Sequence, residues 1–168
     1  MKIAAALVIA LVLTAGACGK GDDKPVDTAV ASSAATTVTS PAAKARTAGE
    51  IVANLKTNGL PIAETTVYTA ADDPNDQLGR PGGYTSKASW HDTRVETQTD
   101  FDVTGGGSVE VFGTETDAQK RYDYVDSITH GNAMLNEYHW RHGVIFLRVS
   151  KELTPDQADG YKRALDRL

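Results

Sequence analysis

Between Gly19 and Arg46 the chain contains only Ala, Ser, Thr, Gly, Pro and charged residues, with Val26, Val30 and Val38 as its larger aliphatics. Such a stretch has too little apolar surface to offset the entropy of ordering its backbone, so it cannot join a core. Any folded domain must therefore be drawn from residues 47–168. It must also hold together without a disulfide, because the only cysteine, Cys18, lies ahead of that stretch.

Cys18 stands behind an apolar leader. Met1 and Lys2 are followed by an uncharged run from Ile3 to Leu13, then by the small residues Thr14-Ala15-Gly16-Ala17. That order is the plan of a secretory signal peptide over residues 1–17. The apolar run ends before Lys20, short of the roughly 20 residues a membrane-spanning helix needs. Small residues directly before a cysteine resemble the lipobox of bacterial lipoproteins, in which cleavage leaves a diacylglyceryl cysteine as the first mature residue. Lipidation of Cys18 gives an exported protein's single thiol a purpose, each buried CH₂ adding about 0.8 kcal/mol of membrane affinity. Such boxes usually carry Leu three places before the cysteine, where this chain has Ala15. Ala15-Gly16-Ala17 is also an A-x-A site for ordinary signal peptidase, which would release the protein. On the lipid reading, residues 18–46 form an acylated cysteine and a flexible tether with a reach of about 30 Å. The domain is then held at the outer face of the cell membrane.

Residues 47–168 match the usual size of one domain. They carry 12 Lys or Arg against 19 Asp or Glu. An acidic balance disfavours nucleic acid and anionic lipid as partners, and no Gly-rich phosphate loop or internal repeat is present. Helix starts are marked by capping boxes. Thr47-Ala48-Gly49-Glu50 leads into Ile51, Val52 and Leu55, and Asn58-Gly59 closes that helix. Thr114 to Asp117 leads into Ala118, Tyr122, Val125 and Ile128 at helical spacing. Thr154-Pro155-Asp156-Gln157 opens a third helix through Ala158, Tyr161, Leu165 and Leu168.

Between the helices the period changes to two. Thr66–Thr69, Tyr84–His91, Ser108–Phe112, Glu137–Arg141 and Val144–Val149 read as strands, the last two joined through His142-Gly143. The order α-β-β-β-α-β-β-α predicts an α+β two-layer sandwich, an antiparallel sheet of about five strands with helices on one face. Val144-Ile145-Phe146-Leu147 is the most apolar segment and is expected to be the central strand.

The stretch Ala71 to Arg94 carries "DPN", "LGRPGGYTSK" and an Asp-x-Arg at Asp92 to Arg94. With "GGSVEVFGTETDAQKRYDYV" and "GVIFLRVSKELTPDQADGYKRAL", these segments resemble a family of short bacterial lipoproteins of the high-GC Gram-positive type. The resemblance covers most of the domain. It implies the lipid anchor and the single domain, and transfers no catalytic residue, substrate or cofactor.

Asp72, Asp73, Asn75 and Asp76 put four oxygen-bearing side chains in five positions. Calcium takes about six to eight oxygens, and the EF-hand spacing is absent, so an Asx turn from Asp72 or Asp73 into Pro74, with the acids simply solvated, is the simpler account. Arg80-Pro81-Gly82-Gly83-Tyr84 offers a cation, a rigid turn and an aromatic ring. Arg80, Tyr84 and Trp90 are of the types enriched at binding hot spots, and with Lys87 and Arg94 they complete a candidate binding loop. The alternative is that Arg80 pairs with an acid such as Asp92.

Enzyme motifs are missing: there is no G-x-S-x-G and no H-E-x-x-H. His91, His139 and His142 lack the spacing of a zinc site, and strand alternation puts His139 and His142 on opposite faces. No cofactor is expected. The reading is a membrane-anchored extracytoplasmic binding domain. Its alternatives are a small enzyme or metal-dependent protein using the His91-Asp92 region, or an inhibitor-like protein.

Overall fold

The computed structural model describes residues 46–97 and 103–168. The expected leader, Cys18 and all of the tether but Arg46 lie outside the described residues. Eight elements follow in the expected order: α1 (Ala48–Thr57), β1 (Ile62–Val67), β2 (Tyr84–Asp92), β3 (Gly106–Phe112), α2 (Glu115–Thr129), β4 (Glu137–His142), β5 (Ile145–Ser150) and α3 (Pro155–Leu165). Among the described residues no helix is long and apolar enough to cross a membrane.

The helices begin where their caps are. In α1, Thr47 Oγ1 accepts from the Glu50 amide at 3.2 Å while Glu50 Oε2 accepts from the Thr47 amide at 2.7 Å. The same reciprocal pair, Thr154 with Gln157, opens α3 behind Pro155. Thr114 caps α2 by accepting from the Asp117 amide at 3.1 Å. Each box satisfies amides that the first helical turn leaves without carbonyl partners.

All five strands are antiparallel and form one sheet in the order β1-β2-β3-β5-β4. The sheet, its α+β class and its element order agree with the expectation, and two finer points differ. The central strand is β3, with β5 an interior strand beside it. Every residue of β3 is buried, which requires cover on both sides. The helices accordingly lie on both faces rather than one.

On the first face, α1 and α3 pack Ile51, Leu55, Ala158 and Leu165 against Trp90, Val109, Val111, Leu147 and Val149. On the second, α2 packs Ala118 and Val125 against Tyr84, Phe112 and Phe146. The alternation along β5 explains the split: Ile145, Leu147 and Val149 point one way and Phe146 the other. Strand β1 starts at Ile62, four positions before the expected Thr66, and carries a bulge between Ile62 and Thr65. As an exposed edge strand it has no two-residue apolar pattern to mark where it begins.

Candidate functional site

The candidate loop is mostly occupied with holding itself in place. Asp72 Oδ1 accepts from the Thr69 amide at 2.5 Å. Asp73 is buried and accepts from Tyr84 Oη at 2.6 Å, Lys87 Nζ at 2.9 Å and the amides of Asn75, Gln77 and Leu78. The Asn75 contact at 3.3 Å closes an Asx turn around Pro74. Burial pushes the Asp73 carboxyl up, but the bonds from Tyr84, Lys87 and the Gln77 and Asn75 amides outweigh it and hold it well below the usual carboxylate range. The carboxylates of Asp72, Asp73 and Asp76 thus turn to separate partners. Among the described residues no group of three His, Cys, Asp or Glu is placed to hold a metal ion.

Tyr84 and Trp90 are core residues rather than surface anchors. Tyr84 packs edge-on to Phe112, and Trp90 stacks on Tyr161 with ring centres 5.6 Å apart. Arg80 pairs with Asp76, not Asp92. Asp92 belongs to a buried network: Trp90 Nε1 donates to Tyr161 Oη, Tyr161 Oη donates to Asp92 Oδ2, and Arg94 donates through Nε and Nη2 to both carboxylate oxygens. Burial, the Asp92 charge and the bond to it all push the Tyr161 hydroxyl far above its ordinary range, so it stays protonated as a donor. Sequence neighbours His91 and Asp92 point to opposite faces, and His91 on β2 lies three strand spacings, roughly 14 Å, from His139 on β4. His91 and Asp92 therefore do not converge with His139, which faces Asp126 Oδ1 at 3.5 Å and Glu137 Oε1 at 3.6 Å.

What the fold does assemble is a groove on the second face, beside the end of α2 at Thr129. Its volume is about 410 Å³. Register builds its floor: Ser89 on β2 sits opposite Ser108 on β3, and Ser108 sits opposite Arg148 on β5. Lys87, Glu137 and Ser150 complete the floor, while Ile128, Met134 and Leu135 form an apolar rim. Asn75 at the far rim and Lys87 on the floor are the candidate-loop residues that reach this groove.

The floor is rich in fixed charge. Arg148 donates through Nε and Nη2 to the two oxygens of Glu137 at 2.7 and 2.6 Å. Ser150 Oγ donates to the Thr104 carbonyl at 2.7 Å. Lys151 Nζ donates to the carbonyls of Ala133 and Met134 at 3.0 and 3.1 Å, tying down the rim. Ser108 differs from all of these. It is 3% exposed, and its Oγ has no hydrogen-bond partner among the described residues.

The sequence reading passed over Ser108, Glu137 and Arg148. The available signal was the alternation of Ser108 and Glu110 with valines in "SVEVF" and an arginine inside "IFLRVS". Comparison with known proteins leaves the fold and the groove to speak for themselves: no protein-family model, no curated protein and no solved structure matches this chain.

Proposed function

We propose that this chain is a lipid-anchored extracytoplasmic lipoprotein whose domain works by binding, with its ligand seated in the groove above Ser108. The leader and Cys18 support the address, and the tether lets the domain sample the space above the membrane. The groove supports the activity. A buried hydroxyl without a partner costs about 1–3 kcal/mol, so native folds carry few of them. One placed on the floor of a groove of ligand size is accounted for by a molecule that completes its bonding. That hydroxyl is the observation on which the reading stands.

Two measurements test it in the native membrane with the full chain. Palmitate labelling and membrane fractionation are expected to find the wild type acylated and membrane-bound and Cys18→Ala unlabelled and soluble; an unlabelled, soluble wild type ends the anchor reading. A photo-reactive side chain at position Met134 is expected to give a discrete adduct that Ser108→Leu removes by filling the groove. The same probe at Asp156, at the start of α3, serves as the control. Equal labelling at both positions ends the groove reading.

A further inference from the structure

The groove contrasts with a second cavity of similar size between α2 and the loop around Gly82 and Gly83. The charges there are closed on one another: Arg121 donates to both oxygens of Glu110, and Lys120 to Asp117. In the groove above Ser108, donors remain open. Glu137 occupies the Nε and Nη2 side of the Arg148 guanidinium, and Nη1 has no partner among the described residues. The buried Ser108 hydroxyl is unpartnered as well, and cross-strand pairing sets the two side chains next to each other on one face.

Charge points the same way. Of the three cations that line the groove, Lys87 is paired with the buried Asp73 and Arg148 with Glu137, which leaves Lys151 as the one without a carboxylate among the described residues. The domain around it has acids in excess, so this is a locally cationic recess. A guanidinium already holding one carboxylate presents its remaining edge in the fork geometry that suits a second. A doubly charged head would meet Glu137 at close range, so a singly charged head fits better.

The rim adds the other half. Of the five large hydrophobic side chains exposed among the described residues, Ile128, Met134 and Leu135 line this groove, at 40%, 85% and 52% exposure. The loop that carries Met134 and Leu135 is held in place. Lys151 holds two of its carbonyls, Asn132 Oδ1 accepts from the Met134 amide, and the Leu135 amide donates to the Asn132 carbonyl. Three apolar side chains held in water beside a donor-rich floor make an amphipathic seat.

We infer that the groove takes a carboxylate carried on an aliphatic chain. The head accepts from Ser108 Oγ and Arg148 Nη1, and the chain lies across Leu135 and Met134 toward Ile128. This deepens the binding reading and rests on it.

The test titrates hexanoate, acetate, hexanol, hexylamine and hexyl phosphate into the full-length chain, held in nanodiscs of uncharged lipid. It follows the Ser108 amide, the Arg148 Nε–H and the Leu135 methyl groups by NMR. Hexanoate is expected to shift all three and to bind about ten-fold more tightly than any of the others. Leu135→Ser is expected to weaken hexanoate and leave acetate unchanged. Ser108→Ala and Arg148→Lys are expected to weaken both, and Arg148→Lys keeps a cation beside Glu137 so that the fold is retained. Hexanoate binding no tighter than acetate, or tighter binding of hexylamine, hexanol or hexyl phosphate, overturns the ligand class and leaves the binding reading intact. If no probe shifts these groups and position Met134 also gives no specific adduct, both fall together.

Discussion

Asp73 shows how much a single side chain can organise. Its carboxylate gathers Tyr84, Lys87 and three backbone amides, so it ties the turn after β1 to the start of β2. Removing it leaves the Lys87 ammonium buried with no counter-charge. Asp73→Ala is expected to lower stability by about 3–5 kcal/mol in urea unfolding at neutral pH, and adding Lys87→Met is expected to restore part of that loss. A double variant no more stable than the single one would show that the pair is not the source. The pH dependence has a definite sign. Asp73 and Asp92 both have folded pKa values below their ordinary ones, burial opposing the shift in each and hydrogen bonds prevailing. Their contribution is therefore complete above the ordinary carboxylate range, near pH 4, and is lost as pH falls below it toward the folded values. Urea midpoints of the wild type are expected to drop between about pH 5 and pH 2, and Asp73→Asn is expected to flatten that slope; parallel slopes refute the assignment. The sequence offered Asp72 or Asp73 as the turn former, because Asx turns are local. The ion pair of Asp73 with Lys87, 14 positions on, depended on which face of β2 Lys87 would take.

At the scale of elements, β3 is the piece that tolerates least. A Cβ on Gly107 would come within 2.3 Å of Trp90 Cζ2 and 2.8 Å of the Arg148 carbonyl oxygen. Backbone on one side and a fully buried indole on the other leave nothing that can yield cheaply. Gly107→Ala is expected to cost about 2–3 kcal/mol and to lower the thermal midpoint by roughly 10 °C, read by calorimetry. Thr154→Ala, which removes only the α3 cap, is expected to cost about 1 kcal/mol. Equal losses for the two would contradict the packing at Gly107. The same contrast decides what was legible beforehand. Caps and turns are written in neighbouring residues, so all three helix starts and the element order could be read. Strand order is a non-local property, and the apolar run at β5 marks it as interior without saying that β3 lies at the centre. Phe112 and Phe146 carried a hint of cover on the second face, but their parity alone does not name the helix that provides it.

The two faces of the whole molecule are unequal. The first is sealed by two helices over a continuous apolar cluster, while the second is covered only in part by α2, through Ala118, Val125, Tyr122 and the Arg121–Glu110 pair. Native-state hydrogen exchange is expected to show α2 opening at a lower free energy than β3 and β5. Equal protection across all three would mean that α2 unfolds only with the sheet. Partial cover is also why the candidate site escaped the sequence reading: a groove defined by where a helix stops and by which strands lie beneath it has no local signature. Its floor comes from β2, β3, β4 and β5, and Ser108 and Arg148 are far apart in the chain.

The placement of β5 between β3 and β4 has a consequence for how the molecule is made. Ser108 is in place as soon as β3 pairs with β2, but Arg148 reaches it only after α2 has crossed the sheet and the final hairpin has inserted beside β3. Such late, long-range closure is the slow part of assembling a sheet. A chain interrupted before that hairpin has the serine without the guanidinium, so the proposed anion seat requires a polypeptide folded past β5.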